Sequence, residues 1–120
     1  MRYATAIITG KGRGKRIGYP TLNLIIPDAL KAEHGIYAGR VFIGGKRYGA
    51  AIHFGPIPTF QEQIPTLEAF LLDTVLDEPP ESIEFELTLF IREIKYFSDT
   101  RELSAQIARD VSDARRAFGD

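Results

Sequence analysis

Cysteine is absent from this chain, which rules out both a disulfide framework and a thiolate metal site. Its absence agrees with a cytoplasmic location. Histidine is scarce as well. His34 and His53 stand alone, and two imidazoles cannot build a zinc site without several carboxylates. No apolar run approaches the roughly 20 residues needed to span a bilayer. Residues 1–10 hold too short an apolar core for a signal peptide and read better as a strand, so no membrane partner is expected. Net charge is nearly absent too: at −1 there is no global field to attract nucleic acid. There is no internal repeat, no low-complexity tract and no linker. With 120 residues, 44% hydrophobic and 26% charged, the chain is expected to form one globular domain over 1–120 around one core, as a monomer.

The positive charge that is present is local. Lys11, Arg13, Lys15 and Arg16 fall within one short stretch that also holds Gly10, Gly12, Gly14 and Gly18. Around that stretch the pattern is β. Residues 3–9 alternate, 20–26 look extended until Pro27-Asp28, and Gly35 opens a strand over 36–43. Gly44-Gly45 is a hairpin turn into 46–54. Residues 66–74 form a further strand, and 82–92 the clearest, with Ile83, Phe85, Leu87, Leu89 and Ile91 expected on one face. From about residue 99 the period changes to 3.6. Leu103, Ile107, Val111, Ala114 and Phe118 form a stripe, with Asp99 as N-cap and Glu102 completing a capping box. So many strands would leave exposed edges, which favours a closed barrel covered by one C-terminal helix.

Three stretches could carry chemistry. Residues 10–18 expose backbone N–H groups and four cations, which suits a polyphosphate; they match neither a Walker A loop nor a dinucleotide fingerprint, and a basic surface loop is the bland alternative. On the extended segment that follows Pro20, Thr21 and Asn23 point the same way and offer two neutral oxygens, while Leu22 and Leu24 point to the core. Such oxygens suit Mg²⁺, although solvent-facing polar residues on a strand would look the same. Glu68 shares a face with Phe70 and Leu72. There it is either an exposed edge glutamate or a partly desolvated carboxylate of useful base strength. Asp73 falls on the opposite face, against a paired-carboxylate site.

The order of these stretches carries more than any one of them. The Gly/basic loop runs into Gly18-Tyr19-Pro20-Thr21-Leu22-Asn23-Leu24. Gly35-Ile36-Tyr37-Ala38-Gly39, Pro58-Thr59-Phe60, Leu67-Glu68-Ala69-Phe70-Leu71-Leu72-Asp73, Ile91-Arg92, Phe97-Ser98 and Gln106-Ile107-Ala108-Arg109-Asp110-Val111 follow. This resembles the riboflavin kinase family along nearly the whole chain. The resemblance implies a mainly β fold, a six-stranded antiparallel Greek-key β-barrel with a C-terminal α-helix. It implies transfer of the ATP γ-phosphate to the riboflavin 5′-hydroxyl, giving FMN and ADP, with Mg²⁺ on the nucleotide. It places nucleotide binding at Gly10, Gly12, Arg13, Gly14, Lys15, Gly18, Pro20, Thr21 and Asn23, and gives the metal to Thr21 and Asn23. Glu68 becomes the catalytic base, and Arg92 and Phe97 the flavin side. Three features depart from the family pattern: His53-Phe54-Gly55 stands where Asn-Ile-Gly is common, an acidic connection over 74–81 replaces a Tyr-Gly turn, and the adenylyltransferase half of bifunctional members is absent, so FAD synthesis is not expected. The carboxylates of that connection are expected near the barrel mouth. A catalytically silent flavin- or nucleotide-binding module is the alternative, and a small nucleic-acid-binding barrel lacks the interleaved aromatic platform such barrels use.

Overall fold

The computed structural model describes residues 1–8, 21–56, 64–72, 74, 76, 78, 80–95 and 99–118. Six strands, β1 (Tyr3–Ala6), β2 (Thr21–Leu24), β3 (Gly35–Ile43), β4 (Lys46–Gly55), β5 (Thr66–Leu71) and β6 (Ser82–Arg92), precede one helix, α1 (Thr100–Ala117). They form a single antiparallel sheet in the order β1-β6-β3-β4-β5-β2. Within it β3, β4 and β5 are successive neighbours and β6 returns beside β3, which is the Greek-key arrangement.

The sheet is a half-barrel and not the fully closed barrel that edge avoidance alone favours. Among the described residues its two rim strands meet at one bridge, Ile7 with Leu24, flanked by hydrogen bonds from Ile8 N to Asn23 O (2.7 Å) and Ile25 N to Ala6 O (3.0 Å). β1 and β2 have four residues each among the described residues, fewer than the alternation over 3–9 and 20–26 promises. Leu22, Leu24, Tyr37, Val41, Ile52, Leu67, Ile83 and Phe85 fill the concave side.

The convex side carries α1. Leu103, Ile107 and Ala114 pack on Ala38, Ala51, Phe70 and Leu72, with Val111 and Phe118 at the margin. Asp99 caps the helix as expected, its carboxylate accepting from Glu102 N at 2.9 Å. The β3–β4 turn is made by Gly44 (φ 55°) and Gly45 (φ 83°), the left-handed pair that a two-residue hairpin demands.

The strict alternation expected of β6 fails. Ile83, Phe85 and Leu87 face the concave core, but Leu89 is 53% exposed and Ile91 packs with the convex cluster. Two register shifts against β3, between Ala38 and Gly39 and between Ile36 and Tyr37, each insert one residue and flip the parity. The two flips cancel at Arg92, which pairs with Ile36 and so lies on the convex face.

Candidate active site

Directly opposed residues on neighbouring strands point to the same face, so the ladder registers fix which side chains share a row. β2 pairs Asn23 with Glu68 and Thr21 with Phe70. β4 pairs His53 with Glu68, β3 pairs Ile36 with His53, and β6 pairs Arg92 with Ile36. One row of side chains therefore crosses the convex face in the order Asn23, Glu68, His53, Ile36, Arg92. The next row, Thr21, Phe70, Ala51, Ala38, is the floor on which α1 rests.

Glu68 is second in the first row, between Asn23 and His53, and is buried, 5% exposed, which removes the exposed-edge reading. Asn23 and Thr21 are half-buried, while Leu22 and Leu24 are in the core, as their alternation requires. Thr21 and Asn23 thus lie on one face beside a carboxylate. A hydroxyl and an amide oxygen are hard donors that fit Mg²⁺ while leaving room for phosphate oxygens and water. Among the described residues no group of three or more His, Asp and Glu could hold a metal by itself.

His53 is buried with its Nε2 at 2.7 Å from the Gly55 carbonyl oxygen. The carbonyl can only accept, so Nε2 carries the proton and Nδ1 keeps its lone pair. Burial pushes the imidazole down to about 4; the hydrogen bond to Gly55 and the Asp110 carboxylate oppose this, and Arg92 and His34 reinforce it. The ring is neutral at physiological pH.

Arg92 grips the helix. Its Nε donates to Asp110 Oδ1 at 2.8 Å, its Nη2 to Asp110 Oδ2 at 2.7 Å, and its Nη1 to the Glu93 carbonyl at 2.8 Å. Asp110 Oδ1 also accepts from Gln106 Nε2 at 3.0 Å, and Gln106 Oε1 accepts from Arg109 Nη2 at 3.0 Å. The apolar stripe expected of α1 does not include this chain of polar contacts. A signal was available: Asp110 is three residues after Ile107 and four before Ala114, squarely on the buried stripe.

Of the expected nucleotide loop, Gly10, Gly12, Arg13, Gly14, Lys15, Gly18 and Pro20 lie outside the described residues, as do Phe97, Asp73 and 57–63. The acidic connection is placed in part. Ile7 N donates to the Glu81 carbonyl (3.0 Å) and Ser82 pairs with Ala6, so this end of the connection lies where β6 starts, at the opposite end of that strand from Arg92. An open pocket of about 670 Å³, lined by Arg2, Phe42, Arg47 and Glu84 among others, is at that far end and contains no member of the polar row.

The riboflavin kinase family model matches residues 1–118. The bifunctional riboflavin kinase/FMN adenylyltransferase of Escherichia coli K12 is 34% identical over 114 residues, covering 94% of this chain and 36% of that protein. Its Bacillus subtilis counterpart is 30% identical over 118 residues, covering 95% and 37%. The chain therefore spans little more than a third of the length of these relatives. An RNA-binding riboflavin kinase of Bacillus subtilis is 30% identical over 118 residues, covering 96% of this chain and 50% of that protein. A solved structure named as a macrolide-efflux protein from Streptococcus pneumoniae superposes with a TM-score of 0.81 at 27% identity, over 95% of this chain and 38% of that one. With the family model matched over almost its full length, the chain belongs to the riboflavin kinase family.

Proposed function

We propose that residues 1–120 act as one riboflavin kinase domain, which transfers the γ-phosphoryl group of ATP to the riboflavin 5′-hydroxyl and releases FMN and ADP. The observation that carries this reading is the pairing of Asn23 with Glu68 across β2 and β5, with Glu68 buried on the face that α1 covers. It sets a nucleotide-side oxygen donor beside a base. In this reading Glu68 accepts the proton of the 5′-hydroxyl as its oxygen bonds to the γ-phosphorus and the bond to the ADP oxygen breaks. Positioning and charge neutralisation supply most of such a transfer, and a placed base adds roughly 10²–10⁴-fold.

Thr21 and Asn23 would hold Mg²⁺, which when bound with ATP neutralises charge on the phosphate oxygens. The glycines and cations of 10–18, with Pro20, are assigned to the phosphates, and Arg92 and Phe97 to the side on which riboflavin is taken. The row order supports that division. With the nucleotide at the Asn23 end, an acceptor hydroxyl within reach of Glu68 brings the rest of its molecule toward His53 and Arg92. The same reading makes the protein a cytoplasmic monomer with no membrane or nucleic-acid partner. Among the described residues no helix is long and apolar enough to cross a membrane. The RNA-binding relative is matched over only half its length.

Incubating the 120-residue chain with Mg-ATP and riboflavin and measuring FMN tests the proposal. Stoichiometric FMN and ADP are expected. Binding of both ligands without FMN would make this a silent flavin-binding module instead.

A further inference from the structure

A guanidinium at the flavin end of the row invites the idea that it touches the ligand, but its hydrogen bonds run elsewhere. Three nitrogens of Arg92 are committed: two to the Asp110 carboxylate in a fork and one to the Glu93 carbonyl. The ion pair is deep, with side chains 13% and 4% exposed. Asp110 is braced in turn by Gln106, and Gln106 by Arg109 at the surface. The chain of contacts thus joins the last residue of β6 to the middle of α1, across the connection 93–99.

Buried ion pairs are poor sources of net stability, because desolvation offsets most of their attraction. The apolar stripe of Leu103, Ile107 and Ala114 already supplies a burial drive for α1. That stripe rests on the small side chains Ala38 and Ala51 beside Phe70 and Leu72, and apolar contact of this kind is non-directional, so it specifies sliding and rotation of the helix only loosely. A planar fork on a carboxylate fixes both, since it works in one orientation only.

We propose that Arg92 is a positioning residue that acts through Asp110, locking α1 at the one placement that leaves the acceptor its seat beside Glu68. This rests on the riboflavin kinase reading for what the seat holds, though not for the lock itself. Any acceptor hydroxyl that reaches Glu68 must approach on the convex face, which α1 shares, so a displaced helix alters the acceptor side while Thr21 and Asn23 on β2 stay in place.

The test uses Arg92→Lys, Asp110→Asn, their combination, and the apolar pair Arg92→Met/Asp110→Leu. Hydrogen exchange over α1 reads the lock without any ligand; both single variants should speed exchange there, to a similar degree. Riboflavin affinity, by fluorescence quenching, should fall about tenfold or more in each single variant and no further in the combination, with the ATP KM held within about twofold. The apolar pair should recover the melting temperature without recovering riboflavin affinity. Unchanged α1 exchange in both single variants overturns the lock. Affinity lost in Arg92→Lys and kept in Asp110→Asn, or losses that multiply in the combination, means that Arg92 meets the flavin directly and overturns the proposal. Affinity restored together with melting temperature in the apolar pair reduces the fork to mere support and overturns it too. Failure of the unaltered chain to bind riboflavin would instead remove the kinase reading, with α1 exchange still deciding the lock.

Discussion

Glu68 is buried between an amide on one side and an imidazole on the other, with Asn23 and His53 as its ladder partners. If it is the base, Glu68→Gln should preserve the melting temperature and riboflavin binding yet lower kcat by about 10²–10⁴-fold. A rate within a few-fold of the parent, measured by FMN formation, would take Glu68 out of the reaction. Thr21→Ala and Asn23→Ala each delete one oxygen from a site with few protein ligands. They should raise the KM for Mg-ATP at least tenfold with little change in riboflavin affinity, whereas equal effects on both ligands would mark them as ordinary strand residues. His53 makes a separate prediction about stability. Its folded imidazole titrates at about 4, against about 6.5 in the unfolded chain. Between those values only the unfolded chain takes up the proton, so the contribution is whole above pH 6.5 and drains away as pH falls toward 4. From pH 7 to pH 5 the parent should lose about 2 kcal/mol more than His53→Asn, as read from urea unfolding at the two pH values. Parallel losses would mean that the ring is not held neutral.

At the level of strands and helix, the sequence carried most of the layout through periods and punctuation. The Gly44-Gly45 turn, the Asp99 cap and the alternation of Leu22 and Leu24 against Thr21 and Asn23 all lie in local chemistry, and all appear in the fold. What was illegible depended on partners far along the chain. The β6 bulges arise only in the register with β3, so a strict period of two misplaces Leu89 and Ile91. The place of Asp110 on the buried stripe is legible, but its partner Arg92 is brought to it only by the fold, from β6. The close approach at the first bulge yields a prediction. A Cβ added at Gly39 would stand 2.4 Å from the Glu86 carbonyl oxygen and 2.6 Å from Ile52 Cδ1. Backbone cannot step aside as a side-chain tip can, so Gly39→Ala should destabilise by about 1–3 kcal/mol or more. A melting temperature equal to the parent's would show that β3 and β6 are less tightly paired there.

For the molecule as a whole, the match to bifunctional relatives is uneven in a way that has a chemical consequence. Those proteins are named for two reactions, a phosphoryl transfer and an adenylyl transfer, while the family model that spans residues 1–118 is that of the kinase. The two reactions break ATP at different phosphorus atoms. Attack at the γ-phosphorus releases ADP, and attack at the α-phosphorus releases pyrophosphate. A second reaction therefore needs its own nucleotide seat, with FMN's phosphate placed in line with the α-phosphorus. The described residues offer one polar row on the convex face, in which Glu68 is the buried carboxylate; buried Asp110 beside it is paired to Arg92, and the far-end pocket is lined by arginines with Glu84 already paired to Arg2 at 3.5 Å. With riboflavin and excess Mg-ATP, the 120-residue chain should accordingly accumulate FMN and ADP in equal amounts, with no FAD and no pyrophosphate even at long times. Chromatography of the flavins together with a pyrophosphate assay checks this. FAD accompanied by pyrophosphate would require a second nucleotide seat within these residues, and would break the assignment of one reaction to one row.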